Sequence, residues 1–193
     1  MESRRSFLKK TGKSALFTSM VLASSSAYPF SRIPKRKNKD RDMIIGIIGA
    51  ENSHTIGYGK MFNTDKKFPG MEVKYVWGET EEFARNAAAK GNIPIIVSDP
   101  GEMMGKIDAL IVDHRHAKYH LEAAAPFVKD GIPTFIDKPF CYRVSEGKDF
   151  LAMAREAGTP VSSFSSQRQN DVTFDMKKKL DTVGEFNHII SLG

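Results

Sequence analysis

The stretch "MIIGIIGAENSHTIGYG", residues 43–59, decides the fold. Its first seven residues are a continuous apolar run. Such a run suits a strand covered on both faces, as in a parallel sheet with crossover helices above and below it. The chain then turns at Gly49 in the manner of a nucleotide-binding turn, where a glycine-rich bend lets a pyrophosphate approach the backbone. The pattern Gly-x-Gly-x-x-Gly maps onto Gly49, Glu51 and His54, so one of three glycines is present. A carboxylate at 51 repels a pyrophosphate unless it points away. Asn52, Ser53 and His54 offer side-chain donors and a helix N-terminus to an anion instead.

Outward from this stretch, apolar strands alternate with amphipathic helices. "MEVKYVW" (71–77) reads as the second strand, and "ETEEFARNAAAKG" (79–91) as a helix with acids in its first turn and Gly91 just past its end. "PIIV" (94–97) and "DALIVD" (108–113) are further strands. Leu121, Ala124, Ala125 and Val128 form one helical stripe closed by Gly131. "IPTFI" (132–136) is the next strand. Gly147, Phe150, Leu151 and Ala154 repeat the stripe before Gly158, and "TPVSSF" (159–164) is the sixth strand. Asp171 is expected to cap a last helix running to Val183. This alternation means βαβ units and a parallel sheet, whose ligands sit outside the carboxyl ends of the strands. The positions to inspect are therefore 49–55, 77–80, 113–116, 137–141 and 164–168.

Within those windows "GIPTFIDKPF" (131–140) places Lys138 directly after a buried strand, between Asp137 and Pro139. Proline cannot continue the ladder, so the chain must turn there. A partly desolvated lysine at that edge can exchange a proton with a substrate hydroxyl. A solvated lysine on a surface turn fits the spacing equally well.

"IDKPF" resembles the Glu-Lys-Pro motif of the Gfo/Idh/MocA oxidoreductase family. "HAKYHLEAAAPFVKDG" (116–131) resembles that family's Asn-x-x-His segment and the helix after it, with His120 on the His and Ala117 in place of the Asn. "SSFSSQRQ" (162–169) resembles the segment carrying an Arg after the sixth strand, with Arg168 on it. The resemblance runs from about residue 43 to the last residue. It implies a Rossmann-type doubly wound parallel sheet over residues 42–184, with residues 185–193 starting a second α/β substrate domain cut short after its first strand. It further implies NAD or NADP as cofactor and a carbohydrate-like small molecule, a sugar or polyol, as substrate. Lys138, with Asp137 beside it, would lie near nicotinamide and substrate as a catalytic group. His120 is grouped with it, shaping the pocket, and His114, Arg115 and His116 would line the nicotinamide. The family's ribose-binding acid falls on Gly78, one place before Glu79, which is expected to substitute for it. Relatives that are NAD-dependent glycosidases, and a non-catalytic nucleotide-binding fragment, are the alternatives to an oxidoreductase. Without the rest of the second domain, the chain is expected to bind better than it catalyses. Its last apolar strand is expected to favour self-association.

Asp113, His114, His116 and His120 also invite a metal reading, since residues 116 and 120 could share a helix face. Those ligand types alone are weak support, and no metal is expected. Cys141 is the one cysteine among 193 residues, which excludes an intrachain disulfide and a multi-cysteine metal site.

The net charge of +6 is unevenly placed. Residues 1–41 hold eleven Lys and Arg against Glu2 and Asp40, whereas residues 42–193 hold 18 basic and 21 acidic groups. The basic excess is thus confined to the N-terminal segment, and nucleic-acid binding is not expected. "SRRSFLKK" (3–10) resembles the twin-arginine export signal. The apolar stretch "SALFTSMVLASSSA" (14–27) is too short and Ser-rich to span a bilayer, and Ser25-x-Ala27 offers small residues to a peptidase. The expectation is a signal over 1–27, a basic Pro-containing linker over 28–41, export to the periplasm and no stable membrane anchor. Replacing Arg4 and Arg5 by Lys should leave the precursor in the cytoplasm, because the arginine pair is read by a receptor and charge alone does not substitute. Cell fractionation checks this, and unchanged export of the double-Lys variant contradicts the assignment.

Overall fold

The structure is a computed structural model and describes residues 41–165 and 170–185. The expected signal, residues 28–40 of the expected linker, Arg168 and the strand expected after Glu185 lie outside these residues. In chain order the elements are β1 (Met43–Ile48), α1 (Ser53–Gly59), β2 (Met71–Trp77), α2 (Glu81–Gly91), β3 (Ile95–Ile96), β4 (Ala109–Val112), α3 (His120–Lys129), β5 (Thr134–Ile136), α4 (Val144–Ala157), β6 (Val161–Ser162) and α5 (Asp171–Val183). Helix α1 continues as one wider turn through Lys60–Thr64. Short 3-10 turns precede β4 and α3.

All six strands pair in parallel, in the order β3-β2-β1-β4-β5-β6. This is the doubly wound arrangement, in which the direction of winding reverses between β1 and β4. The apolar run at the start explains why β1 is central. Ile45 and Ile47 face one side with Val73, Val76, Ala87 and Ile93, and Ile48 faces the other with Leu110, Val112, Phe127 and Ile136. Side chains alternate along a strand, so a strand with both faces covered must be apolar at every position.

Apart from β2, which fills its run, the strands are shorter than the apolar runs that announce them. The second helix starts at Glu81, two residues later than expected, since Thr80 adopts an extended backbone and its hydroxyl accepts from the Phe83 N–H at 3.2 Å. It ends on Gly91, and the left-handed residue beyond it is Asn92. The cap of α5 is Asn170, whose side chain accepts from Thr173 N at 2.7 Å; Asp171 is the first helical residue. The described residues contain no helix long and apolar enough to cross a membrane.

Ile47 is fully buried in the central strand. Ile47→Ala should cost about 2–5 kcal/mol of unfolding free energy, through lost burial and the cavity left behind. Chemical denaturation followed by circular dichroism measures it, and a cost below about 1 kcal/mol contradicts this packing.

Candidate functional site

The site is built where β1 meets β4. Gly49 has φ of 109°, a conformation that side-chain-bearing residues rarely adopt. A Cβ there would stand 2.5 Å from the His114 backbone N and 2.6 Å from the Asp113 carbonyl carbon. The turn after β1 is therefore pressed against the residues that follow β4, and only glycine fits.

Glu79 ties the same turn to β2. Its Oε2 accepts from the backbone N–H groups of Ala50 at 2.8 Å and Glu51 at 3.0 Å. Its Oε1 is buried without a hydrogen-bond partner. An acid cannot stand one place earlier, because a Cβ at Gly78 would lie 2.8 Å from Ala84 N and 2.9 Å from Ala50 Cβ. The shift of the acid from 78 to 79 thus follows from packing. Glu51 points away from the turn, with Oε1 3.4 Å from Arg115 Nη1 at the exposed rim.

On the other side of Gly49 lies a polar cluster that sequence reasoning missed. Asp113 and Asp137, at the ends of β4 and β5, are buried at 0% and 3% exposure. Asn52 Nδ2 donates to Asp113 Oδ1 at 2.9 Å and approaches Asp137 Oδ2 at 3.4 Å. Its Oδ1 accepts from His54 N at 3.2 Å, which fixes the amide. His54 Nδ1 lies 2.9 Å from Asp137 Oδ2. Thr55 Oγ1 lies 2.9 Å from Gly49 O and 2.6 Å from Asp113 Oδ2. Burial pushes the Asp113 carboxyl up to about 8; the Thr55 contact opposes the rise, and the nearby Asp137 and Glu79 charges add to it. Burial, then the Asp137 and Asp113 charges, push the Tyr58 phenol up as well.

His54, Asp113 and Asp137 bring three ligand atoms within 4.8 Å of one another. The Asn52 amide already bridges the two carboxylates there and a cation would have to displace it, so we assign the cluster no metal. The residues weighed above as a metal set are dispersed. His116 precedes a 3-10 turn and caps it, accepting from Lys118 N at 3.2 Å, so it shares no helix face with His120. His120 is fully buried, with Nδ1 3.0 Å from Pro139 O and Nε2 2.8 Å from His114 O. Each ring nitrogen lies against a backbone carbonyl, and a nitrogen that carries a proton donates to it. His120 is a strut between the loops after β4 and β5, and it cannot reach a substrate as a catalytic group.

Lys138 is exposed, the solvated one of the two readings its spacing left open, and a cis peptide joins it to Pro139. Asp137 faces inward to His54 and not toward the lysine. Ser53 and Arg115 are exposed at the rim. His114 is buried against Trp77 and Tyr119, its Nδ1 has no hydrogen-bond partner, and burial holds its imidazole below the usual range. The arrangement is a glycine turn, an anchored carboxylate with one oxygen unused, and a pair of buried aspartates at the carboxyl ends of β4 and β5.

A raised carboxyl pKa means that the folded chain keeps a proton the unfolded chain has released. Stability should therefore fall as pH rises from about 4, the ordinary aspartate value, toward the Asp113 value of about 8, and level off above it. Asp113→Asn should remove that portion of the slope. Denaturant unfolding at pH 5, 6, 7 and 8 checks it, and parallel curves for the two chains would contradict it.

Residues 43–165 match the sequence profile described as oxidoreductase family, NAD-binding Rossmann fold. The uncharacterized oxidoreductase YhhX of Escherichia coli K12 is 25% identical over 147 residues, 73% of this chain and 42% of that protein. The WlbA dehydrogenase of Bordetella pertussis, solved with NADH and UDP-GlcNAcA, superposes with a TM-score of 0.62 at 21% identity, covering 74% of this chain and 42% of its own. Biliverdin reductase of Synechocystis sp. PCC 6803, solved with biliverdin and NADP+, gives 0.63 at 16% identity, covering 74% and 44%. The chain thus spans less than half the length of these relatives.

Proposed function

Since the chain belongs to the Gfo/Idh/MocA oxidoreductase family, whose cofactor is NAD or NADP, we propose that its Rossmann domain binds that dinucleotide across the Gly49 turn and serves the oxidation or reduction of a sugar or polyol. The observation that carries this reading is Glu79, anchored to the turn by two backbone N–H groups with its second oxygen unused. That oxygen is the acceptor a ribose hydroxyl requires. The lost second and third glycines do not argue against a fit, because Glu51 is drawn out toward Arg115 and His54 toward Asp137.

Ser53 and Asn52 border the phosphates in this reading, and His114, His116 and Arg115 border the nicotinamide side. When bound, the nicotinamide supplies the hydride donor or acceptor. Lys138, exposed at the carboxyl edge, takes or returns the proton of the substrate hydroxyl. A carbohydrate substrate is supported by the family resemblance and by the sugar-nucleotide ligand of the Bordetella enzyme. The "SRRSFLKK" segment supports export by the twin-arginine route.

A carboxylate on the ribose repels a 2′-phosphate, so NAD+ should bind more tightly than NADP+. Glu79→Ala should weaken NAD+ by about 10- to 100-fold, the worth of hydrogen bonds to a charged group. Titration calorimetry tests both. Failure of the chain to bind either nucleotide overturns the reading, and tight binding unchanged by Glu79→Ala moves the ribose elsewhere.

A further inference from the structure

Thr55 stands between two oxygens, Gly49 O at 2.9 Å and Asp113 Oδ2 at 2.6 Å. A hydroxyl has one proton and donates once, and a backbone carbonyl has none to give. Both contacts are full two-centre hydrogen bonds when Asp113 is a carboxylic acid that donates to Thr55 Oγ1, leaving the Thr55 proton for Gly49 O; otherwise the one hydroxyl proton is shared or only one bond is made. The surroundings agree. Asp113 is fully buried and is faced by Asp137 from the end of β5, by Glu79 from the end of β2, and by Asn52, His54 and Tyr58 from the turn and α1. Asn52 donates to its other oxygen. One proton on Asp113 satisfies the chain Asp113–Thr55–Gly49, whereas its loss leaves Thr55 to hold only one of its two partners.

We propose that Asp113, as the uncharged acid acting through Thr55, is a positioning residue for the dinucleotide turn, so that the nucleotide binds only the protonated site. The proposal rests on the cofactor reading above and goes beyond it by assigning a proton to the site. Deprotonation places a third charge beside Glu79 and Asp137 at a site meant for a diphosphate, and it releases the carbonyl of the glycine on which the turn pivots. Both effects weaken binding in the same direction.

The test is titration of the 193-residue chain with NAD+ by calorimetry from pH 6.5 to 9.5. Affinity should be level at the acid end and fall about tenfold per pH unit above the Asp113 value, the slope of a single linked proton. Asp113→Asn, whose amide can donate to Thr55 and accept from Asn52, should bind equally at both ends of the range. Thr55→Val should weaken binding at pH 6.5 and remove the slope, Thr55→Ser should restore both, and His54→Gln should keep the slope. Circular dichroism at each pH confirms that each variant is folded. If Asp113→Asn does not fold, the Thr55 pair decides alone. Affinity that is flat with pH in the parent chain, or a slope that survives in Asp113→Asn or Thr55→Val, overturns the proposal while leaving the cofactor reading standing. Absence of NAD+ and NADP+ binding at every pH overturns both.

Discussion

The turn after β1 cannot move away from the end of β4. With a Cβ at Gly49 only 2.5 Å from the His114 backbone N, the two segments meet backbone to backbone, and the rest of the site depends on that approach. It sets Asp113 beside Thr55, brings the N–H groups of Ala50 and Glu51 to the Glu79 carboxylate, and places His54 over the end of β5. A side chain larger than hydrogen at 49 would separate these elements together.

Two different solutions hold the turn on its two sides. Toward β2, a carboxylate accepts from two backbone donors. Toward β4 and β5, two carboxyl groups are buried within reach of one amide, one imidazole and one hydroxyl, which favours keeping a proton on Asp113. The family's glycines solve the same problem by removing side chains. Here the side chains at 51 and 54 remain and are drawn away, by Arg115 and by Asp137.

The sheet was legible in the sequence because its signal is local. The apolar run of β1, the helical stripe from Leu121 to Val128 and the turn after Ile136 each carry their own pattern, and strand alternation orders them. Glu79 was legible only through the family resemblance, as the acid one place after Gly78, where the family's ribose-binding acid falls. The Asn52–His54–Thr55–Asp113–Asp137 cluster was not, since its turn residues lie 58 to 85 residues from the two aspartates they meet and no local spacing links them. Asp113 instead drew notice as a neighbour of three histidines, one of which proves to be buried with each ring nitrogen facing a backbone carbonyl. The burial of two adjacent strand-end acids was the available clue, because an aspartate directly after an apolar strand in each of two neighbouring strands points both into one edge.

A crystal structure of the chain grown with NAD+ tests the central claim most directly. The account predicts the dinucleotide along the carboxyl ends of the strands, with an adenosine ribose hydroxyl on Glu79 Oε1 and the diphosphate over Gly49. A nucleotide on another face, or one whose ribose leaves Glu79 untouched while Gly49 faces solvent, would contradict it.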